Sequence, residues 1–335
     1  MDETRTNIIL ILFAAIIMSI IINGLFLHLI VKPYLDESNR VVNIFKLYRT
    51  LEDDPQRKIF FIGSSQIEAD IDCNLIDKLI NGDGKADANM TVQTYNLGYP
   101  ADTPLRRLTE VASMSECRPG MVIIGLTYYA LNDTSFNISS DDLALVSRDI
   151  HLDNYSRSLF RTDELELIDM NPVYLDFYRR KFIAPSLLNL FRISETSEQE
   201  AAKDFKVQPA FSENLTYDLL LIRINNSRDM LDKYSISPRD NNQKLALNQT
   251  LRLLHSKGIS VVIINMPLHP LLLEKISDDT RRNYFSLLNS TNSSYYDYER
   301  RYGPQCFSDL THLNCLGRKE FSEDMAKLIL ECAAL

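Results

Sequence analysis

One uninterrupted apolar run opens this chain, and alternating apolar patterns follow it. From Ile8 to Val31 the sequence reads IILILFAAIIMSIIINGLFLHLIV, 24 residues without a formal charge. As a helix the run spans about 36 Å, enough to cross a hydrocarbon core of about 30 Å with some tilt. A cleaved signal peptide would have a shorter apolar region and a small-residue cleavage site. Here Lys32-Pro33-Tyr34 follows, without an A-x-A pattern. The pattern predicts a short tail over 1–7, a transmembrane anchor over 8–31, and over 32–55 a stalk or linker, or a helix leading into the domain, with a helical stretch at Val41–Leu51.

From residue 56 to 335 strand and helix signals alternate, which marks a parallel sheet covered on both faces. Lys58–Gly63 is a short, almost wholly apolar run of the kind a buried parallel strand shows. A helical pattern over Asp72–Ile80 follows it, then a polar loop over 81–89. Thr91–Leu97 is a second strand, and Pro104–Glu116 a helix with Pro in its first turn. Met121–Leu126 is the third strand and Ile259–Asn265 the fourth, preceded by a helix over Asn241–Lys257. Helical residues over Leu271–Leu288, a short strand near Tyr295–Tyr298 and a helix over Leu316–Cys332 complete the pattern. An insert over 128–240 interrupts it and is expected to hold helices, because so long a structureless loop is rare in a compact domain. Its piece at 173–182, rich in Tyr, Phe and Arg, reads either as a cap helix on the core or as a surface suited to a bilayer.

Composition narrows the classes. Of 335 residues 45% are hydrophobic and 24% charged, and the net charge is −9, which speaks against disorder and against a protein coating nucleic-acid phosphates. No metal cluster and no Gly-rich phosphate loop is visible, so neither metal nor cofactor is expected. The charges flanking the apolar run, Arg5 before it and Lys32, Arg40, Lys46 and Arg49 after it, favour a cytoplasmic body. Nine Asn-x-Ser/Thr sequons point the other way: Asn89, Asn132, Asn137, Asn154, Asn214, Asn225, Asn248, Asn289 and Asn292. Given 24 Asn and 44 Ser or Thr, chance supplies roughly three such acceptor sites. The enrichment places the body outside the membrane.

Two pieces carry candidate chemistry. The first strand runs into Gly63-Ser64-Ser65-Gln66, and a Ser at a strand-to-helix turn sits where open α/β sheets hold ligands. A helix cap would use the same residue types. Near the other end stands Ser308-Asp309-Leu310-Thr311-His312. An Asp three residues before a His can orient the imidazole while its other nitrogen reaches a hydroxyl, as in a Ser-His-Asp triad. A polar cap with a surface His would read the same way. His269, after the fourth strand, lies at the same sheet edge and either lines a site or is a loop residue. Cys306 and Cys315 bracket the Asp-x-x-His segment, where a disulfide would stiffen it; Cys73 and Cys117 form a second pair of candidates.

The order of these pieces resembles the SGNH hydrolase (GDSL-like) family over about 58–125 and 258–330. The resemblance implies a flavodoxin-like three-layer sandwich. It makes Ser65 the nucleophile, with Ser64 at the family's Asp position, His312 the general base and Asp309 its orienter. Gly98, in Asn96-Leu97-Gly98, and the amide of Ser65 would form the oxyanion hole. The family's third-block Asn is missing: Gly125-Leu126-Thr127-Tyr128 puts Thr127 there. Either Thr127 donates weakly, Asn132 reaches in from the insert, or the donor is absent. One lost oxyanion donor typically costs ~10²–10³ in turnover. The anchor, the Gly-Ser-Ser variant and the missing block are similar to the DltD-like and alginate-acetylation proteins that work with membrane-bound O-acyltransferases.

Three readings follow. The chain is a single-pass, extracytoplasmic serine esterase or O-acyltransferase acting on acyl groups of cell-envelope glycans or polymers. Or it is an inactive SGNH-like module that binds glycan or scaffolds a membrane acyltransferase. Or, on sequon density alone, it is a structural surface glycoprotein.

Overall fold

The computed structural model describes residues 39–82, 91–132, 146–170, 215–226 and 241–333, with short pieces at 13–15, 17–19, 21–22, 142–143, 205–206, 231–232, 234–237 and 239. Most of the span expected over 8–31 lies outside these residues, as do the piece at 173–182 and Asn89, Asn137 and Asn214. Among the described residues no helix is long and apolar enough to cross a membrane.

The chain enters the domain through α1 (Arg40–Leu51) and β1 (Arg57–Ile62), then α2 (Ser65–Asp70), α3 (Cys73–Asn81) and β2 (Val92–Asn96). Next come α4 (Pro104–Leu108), α5 (Val111–Glu116) and β3 (Met121–Leu126). The described parts of the insert carry α6 (Asn154–Ser158), α7 (Thr162–Ile168) and α8 (Tyr217–Asn226). After it follow α9 (Asn242–Ser256), β4 (Ser260–Asn265), α10 (Pro270–Leu273), α11 (Asp278–Ser290), β5 (Ser294–Asp297) and α12 (Cys315–Ala333). The five strands form one parallel sheet in the order β2-β1-β3-β4-β5, so the connections diverge on either side of β1 and β3. Ligands of open α/β sheets bind at the carboxyl edge beside such a switch point.

The strands are near-continuous apolar runs because each feeds two cores. Phe60, Ile62, Val122, Ile124, Val261 and Ile263 pack into one face with residues of α1, α4, α5, α9 and α11. Ile59, Phe61, Met121, Ile123, Val262 and Ile264 pack into the other with residues of α2, α3 and α12. The result is an α/β fold of three layers.

Several expectations are corrected here. Of the segment read over 32–55 as a stalk or a helix leading into the domain, the described part is domain: Val41, Ile44, Phe45, Tyr48 and Leu51 of α1 are buried in the core. Their spacing of three and four residues is that of an amphipathic helix. The helix read over Pro104–Glu116 is two, because the amides of Thr109 and Glu110 bond three residues back and tighten the turn. The helix read over Leu271–Leu288 is likewise two, with Ser277 capping α11 through the Thr280 amide at 3.2 Å. All five cysteines are free thiols. Cys306 is buried with its Sγ against Glu320 Oε2 at 3.7 Å, whereas Cys315 is exposed at the start of α12, so neither expected disulfide forms.

Candidate active site

Ser65 is the first residue of α2, and the turn that delivers it depends on Gly63. This glycine has φ +150°, and a Cβ there would stand 2.7 Å from both the Gly125 carbonyl oxygen and Ile67 Cγ1. Ser64 is the helix cap, its hydroxyl accepting from the Gln66 amide at 3.4 Å. The two serines thereby divide the work, and the Ser65 hydroxyl stays available. It lies 2.9 Å from His312 Nε2.

The Asp-x-x-His segment folds onto itself by short-range hydrogen bonds. Asp309 Oδ1 accepts from the amides of Thr311 at 2.8 Å and His312 at 2.7 Å, while Oδ2 lies 2.9 Å from His312 Nδ1. Ser308 and His312 close the loop, the Ser308 amide donating to the His312 carbonyl at 2.9 Å. The His312 and Asp309 side chains keep 14% and 20% of their surface exposed.

The charges support this arrangement. Burial opposes ionisation of Asp309, but the His312 ring, its charge and the two amides outweigh it and hold the carboxyl near 2. Burial also opposes protonation of His312, yet the bond to Asp309 and the charges of Asp70, Asp309 and Glu68 raise its pKa. The arrangement is suited to taking a proton from a hydroxyl and to holding the resulting imidazolium.

The expected oxyanion donors fare unevenly. The Ser65 amide is among those a helix start leaves without an intrahelical partner. The Gly98 amide is already committed, donating to Asn96 Oδ1 at 3.0 Å, which corrects its reading as a free donor. What Gly98 supplies is space, since a Cβ there would overlap the backbone of Ile67 and Glu68. Thr127 is buried beyond the end of β3, and its side chain makes no cap bond to the turn it opens. Asn132 does not reach in as a donor. It is buried, and its Nδ2 donates to the carbonyls of Asp232 at 2.9 Å and Ser235 at 2.6 Å. That burial also removes Asn132 as a glycan acceptor in the folded domain, whereas Asn154, Asn225, Asn248, Asn289 and Asn292 are exposed. His269 caps α10, its Nδ1 accepting from the Leu271 amide at 3.1 Å, and burial lowers its pKa. Its own amide donates to the Leu310 carbonyl at 3.1 Å, so it braces the Asp309 loop from behind.

Four supporting residues escaped the sequence reading. Gln66 Nε2 donates to the carbonyls of Pro267 at 3.0 Å and Thr311 at 2.8 Å, tying α2 to both neighbouring loops. Asn96 Nδ2 donates to Ile67, Glu68 and Ile71 carbonyls. Arg107, buried with Asp102, Glu110 and Arg106, donates through Nη2 to the carbonyls of Leu97 and Gly63 on either side of the site. Burial works against its charge, but Asp102 and Glu110 raise its pKa. Asp70 is fully buried; Oδ1 accepts from the Leu313 amide at 2.9 Å and Oδ2 has no hydrogen-bond partner. Burial pushes its carboxyl up to about 7 against the pull of His312. Little in the sequence signals these four: Gln66, Asp70 and Arg107 lie on helices, where polar residues are ordinary, and Asn96 ends a strand.

Among the described residues no group of His, Cys, Asp or Glu is placed to hold a metal ion. A cavity of about 20 Å³ lies behind the Gly63-Ser64 turn, lined by Ile62, Ile124, Leu126 and Leu247. It has room for little more than one water. A model of an uncharacterised protein family matches residues 177–333, a stretch that carries Asp309 and His312 but not Ser65. No curated protein matches the chain.

Proposed function

We infer that this chain is a serine acyl-ester hydrolase or O-acyltransferase of the SGNH kind, anchored through residues 8–31 with its catalytic domain outside the membrane. The observation that carries the reading is the hydrogen-bonded row Ser65 Oγ, His312 Nε2, His312 Nδ1 and Asp309 Oδ2, with 2.9 Å at both contacts. It sits at the carboxyl edge of a parallel sheet ordered β2-β1-β3-β4-β5.

In this reading Ser65 Oγ attacks the ester carbonyl while its proton passes to His312 Nε2. Asp309 holds the ring in the tautomer that accepts there and stabilises the imidazolium. The Ser65 amide and the Thr127 hydroxyl face the oxygen that gains negative charge. Collapse expels the alcohol, which takes the proton from His312, and leaves an acyl group on Ser65. Water or a glycan hydroxyl, deprotonated by the same His312, then releases it. The envelope-glycan substrate and a membrane-bound O-acyltransferase partner come from the family resemblance alone.

A second reading, an inactive binding or scaffolding module, is favoured by one observation: the Gly98 amide is taken by Asn96 and Thr127 replaces the third donor. A fluorophosphonate probe separates the two. Labelling of the folded chain that disappears in Ser65→Ala supports the enzyme; a folded chain that stays unlabelled supports the module.

A further inference from the structure

We propose that the carboxyl edge of the sheet, which holds Ser65 and His312, faces the lipid bilayer, so that the acyl ester it acts on is carried by an amphiphile lying in the membrane surface. This rests on the anchored-esterase reading above and adds where its substrate lies.

The first ground is where the chain comes in. Between the apolar run ending at Val31 and Arg40 stand eight residues, 32–39. Fully extended, the nine steps between them cover about 30 Å. Arg40 is fixed at the catalytic edge. Its Nε donates to the Gly98 carbonyl at 2.7 Å, its Nη2 to the Asn96 carbonyl at 3.0 Å, and it pairs with Glu68 at 3.3 Å. From there α1 runs away from that edge, because its last carbonyl, at Leu51, accepts from Lys58 Nζ at the start of β1. A chain leaving the bilayer therefore meets the domain at the edge that carries the triad. The opposite edge, with the α9–β4 turn at Lys257 and Gly258, lies a strand's length further off.

The second ground is what that edge exposes. Two residues before α8 the chain is tied to the active-site loop, the Leu215 amide donating to the Ser308 carbonyl at 2.9 Å. Leu220 and Ile224 bury one side of α8 in the core, leaving Leu219 47% and Ile222 53% exposed, three residues apart on the outer side, beside an exposed Tyr217. Together these three side chains put apolar surface beside the active-site loop. On its outer side Tyr217, Leu219 and Ile222 alternate with the exposed Asp218 and Arg223, a mixture of apolar and charged side chains that suits the headgroup level of a bilayer. The two grounds flank the triad. Arg40 sits at the end of β2, and α8 packs near α10, which follows β4, with Ser65 after β1 between them.

The test uses the full chain in vesicles of phosphatidylcholine and phosphatidylglycerol. Cys315 and Cys332, the two thiols not buried, are first replaced by Ser. A bimane label is then placed through Leu219→Cys, Ile222→Cys or Lys257→Cys, all at exposed positions. Nitroxide-bearing lipid quenches only labels close to the bilayer. The expected result is loss of most of the emission at 219 and 222 and little loss at 257. Quenching at 257 alone, or at none of the three in a chain that floats with the vesicles, overturns the proposal and leaves the esterase reading standing. A chain that does not float overturns the anchor and the proposal together. Failure of the esterase reading shows separately, as a chain that floats and is quenched as expected but is not labelled by a fluorophosphonate.

Discussion

Replacing Asp70 by Asn isolates one buried charge, and its consequence has a definite sign. The carboxyl is fully buried and raised from 3.8 to about 7. Between those values the folded chain holds a proton that the unfolded chain has lost. Stability from this group is therefore present in full below about pH 4 and fades as pH rises to about 7. Three pKa units at 1.36 kcal/mol each make the change about 4 kcal/mol. Asn keeps an oxygen for the Leu313 amide, so the hydrogen bond at 2.9 Å survives. Its new N–H group, unpartnered where Oδ2 was, adds a pH-independent cost of about 1–3 kcal/mol. The quantity to read is the difference in unfolding free energy between wild type and Asp70→Asn, from urea titrations between pH 4 and pH 8. It should move in favour of the mutant by about 4 kcal/mol across that range. A difference that stays flat would refute the reasoning, since a carboxyl of ordinary pKa would be ionised in both states. The same change removes a charge that raises the His312 pKa, so the acidic limb of the activity profile should shift to lower pH.

Ser65→Ala and His312→Ala should each abolish ester cleavage, and the double mutant should be scarcely slower than either, because the pair acts as a unit; rates that multiply would contradict this. Thr127→Asn restores the third-block side chain and should raise the acylation rate in a folded chain, read by pre-steady-state release of p-nitrophenol. An unchanged rate means that Thr127 does not face the oxyanion. Arg107→Ala leaves the buried Asp102 and Glu110 with one cation, Arg106, between two carboxylates and should destabilise the domain by about 3–5 kcal/mol in chemical denaturation.

How far the sequence carried is plain at particular residues. Runs such as Met121–Leu126, apolar on both faces, announce buried parallel strands, and the structure has a strand at those bounds. The separated Gly-Ser-Ser and Asp-x-x-His pieces are brought together over 247 positions of sequence. Spacing alone does not give that contact; the parallel topology does. The capture of the Gly98 amide by Asn96 was not legible, because an Asn two residues upstream of a Gly fits a strand end as well as a side-chain-to-backbone turn. Nor was the depth of α1. Its apolar spacing predicts a helix but not which surface covers it, so a helix following an apolar span reads equally as a stalk or as an entry into the domain. Nothing local marks Asp70 as buried, because the amide that donates to it, that of Leu313, lies 243 residues away.

The central claim is that Ser65 carries the acyl group, and one measurement addresses it directly. The chain is mixed with p-nitrophenyl acetate, quenched in acid during the burst, digested, and the peptide holding Ser64 and Ser65 is sequenced by mass spectrometry. The account predicts an acetyl group on Ser65, absent from Ser65→Ala and lost on further incubation of the wild type. Turnover of the ester with no adduct, or an adduct that persists unchanged in Ser65→Ala, would contradict it.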